Sequence, residues 1–144
     1  SHNVLITEWG RAKLTDFGLS RITSAVSSFT GRSTLVGGTV AWMAPESFGK
    51  RQGSASMSAM SDLYSYGIVT WEVLAGIRGH AESTPWYGKS VVEVISAVTI
   101  HGERLPLHEG CVSNSNISKA AMHVDVMRRC WSAQPSERPT FEEL

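Results

Sequence analysis

Residues 3–18 read NVLITEWGRAKLTDFG, and this stretch sets two short apolar runs on either side of a polar turn. The runs are Val4–Ile6 and Ala12–Leu14, with Trp9 and Gly10 between them. Short apolar runs separated by a glycine-containing turn are typical of a β-hairpin. The sequence therefore predicts a small hairpin that leads into Asp16-Phe17-Gly18, a tripeptide too short to identify a family by itself.

Four further motifs follow downstream. Residues 38–46 read GTVAWMAPE, residues 61–67 read SDLYSYG, and the pairs Cys130-Trp131 and Arg138-Pro139 come later. Together with Asn3, their order and spacing resemble those of a eukaryotic protein kinase. The resemblance runs along essentially the whole chain, residues 1–144, and covers about half of a kinase domain. It implies the C-terminal lobe of the bilobal α+β kinase fold, mainly α with a small β-hairpin at its start.

The resemblance implies that Asn3, Asp16, Phe17 and Gly18 bind the cofactors, ATP and Mg²⁺. Phosphoryl transfer requires neutralisation of the charge on the β- and γ-phosphates, mainly by Mg²⁺. This hard cation prefers oxygen ligands, and Asp16 offers a carboxylate while Asn3 offers a carbonyl oxygen. A hairpin between them can bring both side chains to the same edge, so Asn3 and Asp16 are the predicted metal ligands. Gly18 would then let the backbone turn sharply into the following loop.

Thr39 matches the threonine that, in serine/threonine kinases, contacts the catalytic aspartate and shapes the pocket for the residue after the phosphorylated one. Tyrosine kinases usually carry a proline and a basic residue in this stretch, whereas this chain has Val40 and Ala41 before Trp42. The resemblance therefore favours a serine/threonine kinase of the tyrosine-kinase-like group, which transfers the γ-phosphoryl group of ATP to protein substrates. A dual-specificity or tyrosine kinase is the alternative enzyme, since tyrosine kinases share the Cys-Trp motif.

Three further residues match structural positions of the family. Glu46 resembles the buried acid that pairs with an arginine, and Arg138 occupies the matching place. Asp62 resembles the acid at the start of the central helix that holds the backbone of the catalytic loop. A carboxylate there also suits the positive end of a helix, so a simple N-terminal cap is the alternative role for Asp62.

Residues 19–38 are rich in Ser, Thr and Gly and show no usable period, which is typical of a long loop. In a kinase this region is often phosphorylated, and the added charge orders it against basic side chains. Thr30, Ser33 and Thr34 are the first candidates for phosphorylation, because they lie nearest the substrate-facing end. The alternative is a solvated loop that carries no modification.

The remaining sequence predicts three helices, at residues 58–74, 90–99 and about 118–131. The first is apolar on nearly every face and is predicted to be buried all round, with Ser61 or Asp62 at its N-terminus and Gly76 at its end. The second carries Val91, Val94, Ile95 and Val98 on one stripe, and the predicted buried face of the third is Ala121, Val124, Met127 and Trp131. The spacing of Thr140 and Glu143 fits a capping box at the start of a further helical turn.

Composition excludes several classes of partner. The formal net charge is zero and no run of Lys or Arg marks a basic stripe, so nucleic acid is not an expected partner. The most apolar stretch, residues 63–74, is too short to span a bilayer, and no membrane contact is expected from this segment. Two cysteines without a C-x-x-C pair favour a reducing compartment. The expected location is intracellular, in the cytoplasm or in the cytoplasmic part of a larger membrane protein.

In the kinase pattern the catalytic aspartate precedes the asparagine by five positions, which places it three positions before Ser1. The phosphate-binding lysine and the glycine-rich loop belong to the N-terminal lobe, which is needed for activity. We therefore expect the isolated 144-residue polypeptide neither to bind ATP tightly nor to turn over. A pseudokinase that serves as a scaffold is the competing interpretation, although it would have no need of both metal ligands.

Overall fold

The computed structural model describes residues 2–17, 40–48, 59–77, 83–107 and 117–144. The chain divides into two compact units, Ser1–Thr34 and Leu35–Leu144. Within the described ranges, the first unit has two short strands and the second has three α-helices with short 3₁₀ turns. The prediction of a mainly α chain with a small β-hairpin at its start is confirmed.

The first unit is an antiparallel hairpin of β1 (Val4–Ile6) and β2 (Ala12–Leu14). Val4 pairs with Leu14 and Ile6 with Ala12 across the ladder. The turn closes through a hydrogen bond from the backbone N–H of Gly10 to the carbonyl of Thr7, at 2.9 Å. Gly10 has φ 71°, a left-handed conformation that glycine adopts without steric cost. The predicted turn at Trp9-Gly10 is therefore confirmed.

The second unit is built on α1 (Ala59–Ile77), α2 (Val91–Thr99) and α3 (Ile117–Cys130). These bounds agree with the predicted helices to within three residues at each end. The core gathers side chains from α1 and α3 that are at most 1% exposed, namely Leu63, Tyr64, Ile68, Met127 and Cys130. No helix in the described part of the chain is long and apolar enough to cross a membrane.

A glycine sets the approach of α1 to α3. A Cβ at Gly67 would lie 3.0 Å from the Cβ of Cys130 and 3.2 Å from the backbone oxygen of Met127. These distances are tighter than ordinary van der Waals contacts, so an added methyl group would require the neighbours to shift by a few tenths of an ångström. Glycine costs up to about 1 kcal/mol relative to alanine inside a helix, and the close packing explains its presence here.

The described residues include two capping boxes; the one at Thr140 and Glu143 was predicted, and the one at Ser90 and Glu93 was not. Ser90 caps α2 in a capping box, in which its backbone N–H donates to the Glu93 carboxylate at 2.7 Å. The same arrangement joins the backbone N–H of Thr140 to the carboxylate of Glu143, at 2.8 Å. Each box satisfies backbone donors that the first turn of a helix leaves unpaired.

Three details of the helix predictions are wrong. Helix α1 is not buried all round, because Tyr66 and Val73 are 42% and 54% exposed. These positions are seven residues apart and share one helix face, which no described element covers. The helix also starts before Ser61 and Asp62, which lie inside its first turn.

The third correction concerns a side chain on α3. Ala121 is exposed, whereas Val124 and Met127 are buried as predicted. On the predicted stripe of α2, Val94 and Val98 are buried and Val91, at the first helical position, is 36% exposed.

Candidate functional site

The hairpin places the two predicted metal ligands at its open end. Asn3 comes directly before β1, and Asp16 follows the last residue of β2 by two positions. The ladder continues past the strands, since the N–H of Thr15 donates to the carbonyl of Asn3 at 3.0 Å. Asn3 and Asp16 thus leave the sheet at the same edge.

Asp16 adopts an unusual backbone conformation, with φ 61°. Residues with a side chain avoid this left-handed region, and aspartate and asparagine enter it more readily than most. Residues held in such conformations cluster at functional sites. Phe17, the next residue, is 65% exposed. Gly18 lies outside the described residues.

The donor set at this end of the hairpin fits Mg²⁺. Mg²⁺ is usually bound by one or two protein carboxylates, and phosphate and water supply its other ligands. One carboxylate and one amide oxygen, from Asp16 and Asn3, are donors of this kind. Within the described ranges no group of three or more His, Cys, Asp and Glu side chains is placed to hold a metal. The oxygen donors of Asn3 and Asp16 are of the kind that binds Mg²⁺ together with phosphate.

In the second unit, an ion pair joins Glu46 to Arg138. Two guanidinium nitrogens of Arg138 donate to the two carboxylate oxygens of Glu46, at 2.7 and 2.9 Å. The Arg138 side chain is fully buried, while that of Glu46 retains 19% exposure. The guanidinium also donates to the carbonyl oxygens of Met60, at 2.6 Å, and Ser132, at 3.0 Å. A buried charge with this many partners is well satisfied.

The electrostatics of Glu46 favour its charged form. Burial by itself raises the pKa of the Glu46 carboxyl, but the hydrogen bonds and charge of Arg138 and the Ser61 hydroxyl outweigh it. The pKa of Glu46 is therefore held below its ordinary value. A lowered pKa in the folded state means that the ion pair stabilises the fold at neutral pH and loses this effect as the pH falls through that pKa.

An aromatic ring lies beside the same arginine. The guanidinium carbon of Arg138 is 5.3 Å from the ring centroid of Tyr64, and that of Arg104 is 5.6 Å from it. Both distances are within the range of cation–π attraction. Arg104 is held in place by a hydrogen bond of its Nε to the carbonyl of Trp131, at 2.8 Å. The sequence analysis missed both Tyr64 and Arg104, since nothing in their spacing links them to Arg138.

The segment of residues 40–48 is attached to α1 by side chains that the sequence analysis also missed. The Ser61 hydroxyl donates to Glu46 at 3.1 Å, and the Ser65 hydroxyl donates to the carbonyl of Trp42 at 2.9 Å. The indole N–H of Trp42 donates to the carboxylate of Glu72 at 3.3 Å. The signal was present, because polar residues at helical spacing interrupt an otherwise apolar helix.

The other predicted site residues divide into two groups. Asp62 lies in the first turn of α1 and is exposed, where its charge suits the positive end of the helix. Its predicted contact with the catalytic loop stays a prediction. The remaining residues lie outside the described ranges: Thr39, Thr30, Ser33 and Thr34.

Comparison with known proteins agrees with these motifs. A family model described as "Protein tyrosine and serine/threonine kinase" matches residues 1–144. The chain is 36% identical over 141 residues to "Receptor-interacting serine/threonine-protein kinase 3" of Homo sapiens, a match that covers 98% of this chain and 26% of that protein. It is 32% identical over 144 residues to "Serine/threonine/tyrosine-protein kinase HT1" of Arabidopsis thaliana, over 100% of this chain and 31% of that protein.

A third relative extends the range of organisms. The chain is 32% identical over 142 residues to "Probable serine/threonine-protein kinase drkD" of Dictyostelium discoideum, over 99% of this chain and 9% of that protein. The chain thus spans less than a third of the length of each of these three relatives. The prediction of kinase resemblance is confirmed, and the chain belongs to the protein tyrosine and serine/threonine kinase family.

Proposed function

We propose that the full-length protein transfers the γ-phosphoryl group of ATP to serine and threonine residues of protein substrates. The observation that carries this proposal is the joint placement of Asn3 and Asp16 at the open end of the hairpin, with Asp16 in a left-handed backbone conformation. Family membership supplies the reaction class. The residues 1–144 form part of the C-terminal lobe of the catalytic domain.

Asp16 and Asn3 would hold Mg²⁺ between them and the phosphates of ATP. The metal would neutralise charge on the transferred group, which is the main task of a protein that catalyses phosphoryl transfer. Phe17 and Gly18 complete the cofactor-binding stretch. The family's catalytic aspartate and ATP-binding lysine would lie outside residues 1–144, so this 144-residue polypeptide by itself should not turn over.

Three residues would serve the protein substrate or the fold around it. Thr39 would contact the catalytic aspartate and shape the pocket for the residue after the phosphorylated one. Asp62 would hold the backbone of the catalytic loop. Phosphorylation would act on Thr30, Ser33 or Thr34, where the added charge would order the segment.

We place this activity inside the cell, where ATP and Mg²⁺ are available. The free, buried thiol of Cys130 fits a reducing compartment. The zero net charge fits a protein substrate better than a nucleic acid.

A transfer assay tests the proposal. The full-length protein is given ATP labelled in its γ-phosphate and peptides that carry one acceptor each, serine, threonine or tyrosine. We expect label on the serine and threonine peptides and a loss of about 100-fold or more with Asp16→Asn, because the metal ligand is lost. Asparagine tolerates the left-handed backbone of residue 16, so this change removes the charge and keeps the conformation.

The control is Asp125→Asn, which removes one carboxylate from an exposed ion pair with Arg129 on α3. It should transfer label at the unmodified rate. If the tyrosine peptide is labelled equally, the protein is a dual-specificity kinase and the proposed serine/threonine specificity is wrong. A folded full-length protein that labels no peptide would support the scaffold interpretation, and transfer by the 144-residue polypeptide alone would show that the missing parts are not needed.

A further inference from the structure

A cavity of about 210 Å³ lies between the C-terminal half of α1 and the two segments that flank α2. Aromatic and charged residues dominate its lining, namely Trp71, Trp86, Tyr87, Lys89, Glu103 and Arg104. None of them belongs to the proposed Mg²⁺ site or to the Glu46–Arg138 ion pair. The cavity therefore has a chemistry of its own to explain.

Two tryptophans of this cavity differ in how their indole N–H groups are satisfied. The Nε1–H of Trp71 donates to the carbonyl oxygen of Pro106 at 2.8 Å. The Nε1 of Trp86 is buried, and no described residue accepts a hydrogen bond from it. The Trp86 side chain belongs to a residue that is only 7% exposed. A buried donor without an acceptor costs free energy, so the wall of this cavity lacks one acceptor.

Trp86 also has an unusual backbone conformation, with φ 59°. A bulky side chain rarely occurs in this left-handed region. The surrounding turn holds it there, since the carbonyl of Trp86 accepts from the N–H of Lys89 at 3.0 Å. Strained residues of this kind cluster at functional sites, including ligand clamps. In this cavity the strain and the unsatisfied donor fall on the same residue.

The charged groups around Trp86 favour an anion. The Nζ of Lys89 is 5.9 Å from the centroid of the Trp86 ring and 3.4 Å from the Glu103 carboxylate, in an exposed ion pair. Arg104 lines the same cavity, where its Nη1 donates to the carbonyl of Glu103 at 2.8 Å. Two cations against one carboxylate leave the lining positively charged. A hydrogen bond from an N–H group to an anionic oxygen is also stronger than one to a neutral oxygen.

The volume of the cavity limits the size of its occupant. A cavity of about 150 Å³ is large enough for benzene, whereas the pockets of drug-sized ligands measure about 300 Å³ or more. At about 210 Å³ this cavity fits one aromatic ring with a small polar substituent. Aromatic walls favour such a ring, because aromatic pairs attract beyond the burial of their surface.

We infer that this cavity binds a small aromatic carboxylate. One carboxylate oxygen accepts the indole N–H of Trp86, the Lys89 ammonium complements its charge, and the ring packs between the aromatic walls. The Glu103 carboxylate opposes the bound anion, which makes it a useful test position. Binding here is independent of the proposed kinase activity, since it uses neither Asn3 nor Asp16.

Nuclear magnetic resonance of the full-length protein, labelled at the tryptophan indole nitrogens, gives the first test. The Trp86 signal is assigned by its loss in Trp86→Phe. We expect benzoate to shift this signal saturably, and benzylamine, which carries the opposite charge on a similar ring, to bind at least about 10-fold more weakly. If benzoate causes no saturable shift, the inference is wrong and the donor is served by a buried water or by other residues. Equal affinity for the two probes would contradict recognition of an anion.

Substitutions in the cavity give the second test, with the affinity for benzoate measured by saturation transfer from the protein. Trp86→Phe keeps a ring and removes the donor, so it should weaken binding about 3-fold to 10-fold. Lys89→Met should weaken binding about 2-fold to 5-fold, and Glu103→Gln should strengthen it by a similar factor, because each removes one exposed charge of opposite sign.

The matched control is Arg129→Met, which breaks an exposed ion pair of the same kind on α3 and should leave the affinity for benzoate unchanged. Tighter binding by Glu103→Gln cannot arise from a damaged fold, so it separates charge recognition from misfolding. Weaker binding by Glu103→Gln, or no change in both Lys89→Met and Glu103→Gln, would overturn the inference. These measurements involve no phosphoryl transfer, so failure of the proposed function would leave their outcome unaffected.

Discussion

The hairpin and the helical unit differ in whether they bury a core of large apolar side chains. Leu5 and Leu14 on the strands are 56% and 69% exposed, and Trp9 in the turn is 81% exposed. In the helical unit Leu63, Ile68 and Met127 are fully buried. The hairpin is thus held by its ladder and turn hydrogen bonds, whereas the helical unit is held by a core and an internal ion pair. An isolated two-stranded hairpin is marginal in water, so the two units should differ widely in how much free energy a substitution costs.

The largest difference is expected at Arg138. Arg138→Met should lower the free energy of unfolding by about 3 to 5 kcal/mol, because it leaves Glu46 and two backbone carbonyls without their buried partner. Urea denaturation followed by circular dichroism measures this change. Arg129→Met, which breaks an exposed ion pair with Asp125 at 3.3 Å, should cost less than about 1 kcal/mol.

The pH dependence of the free energy of unfolding provides a second test of the Glu46–Arg138 ion pair. Since the pKa of Glu46 is held below its ordinary value, the pair stabilises the fold above pH of about 4.3, the ordinary value for glutamate, and stops doing so as the pH falls through the lowered pKa. Arg138→Met should remove this part of the pH dependence. If Arg138→Met and Arg129→Met lower the free energy of unfolding equally, the distinction between the buried and the exposed ion pair is wrong.

The next largest difference is expected when one large apolar side chain in each unit is truncated to alanine. Met127→Ala should lower the free energy of unfolding by about 2 to 5 kcal/mol, because it opens a cavity between α1 and α3. Leu14→Ala on the hairpin should change it by less than about 0.5 kcal/mol, because most of that side chain is already in water. Thermal and urea unfolding of both variants test this. If Leu14→Ala costs as much as Met127→Ala, the hairpin buries more than its exposure indicates.

The smallest difference concerns two glycines of one helix. Gly67→Ala should cost about 1 kcal/mol, since the strain of an added methyl against Cys130 and Met127 exceeds the gain in helix propensity. Gly76→Ala, with open space around its Cβ position, should be neutral or slightly stabilising. Equilibrium unfolding measures the change in the free energy of unfolding for both variants. A stabilising change at Gly67 would mean that α3 moves away at little cost.

The sequence predicted elements whose signal is local. The turn at Trp9-Gly10, the capping box at Thr140, and the three helices follow from residue types within a few positions of each other. The Glu46–Arg138 pair was predicted from the order of the kinase motifs, not from local pattern. Exposure on α1 could not be predicted, because Tyr66 and Val73 lie in a helix that is apolar on nearly every side. Periodicity assigns a buried face only where polar residues mark the other one.

Contacts between distant elements were the part that sequence reasoning missed. Arg104 and Tyr64 are brought together by packing, and Glu72 meets Trp42 only because residues 40–48 lie along α1. In each case the partner is chosen by the tertiary structure. The polar positions Ser61, Ser65 and Glu72 could have been noticed as one stripe, but the stripe alone did not identify what it binds.

The sequence separation of the Glu46–Arg138 pair affects how this chain folds during synthesis. The two residues are 92 positions apart. At translation rates of about 5 to 20 residues per second, Arg138 is made about 5 to 18 s after Glu46. Closing so long a loop also costs chain entropy, which must be offset by the helices packed between the two ends. The nascent chain therefore carries an acid without its arginine for seconds, and residues 40–48 gain their final anchor only when the last part of the unit has been synthesised.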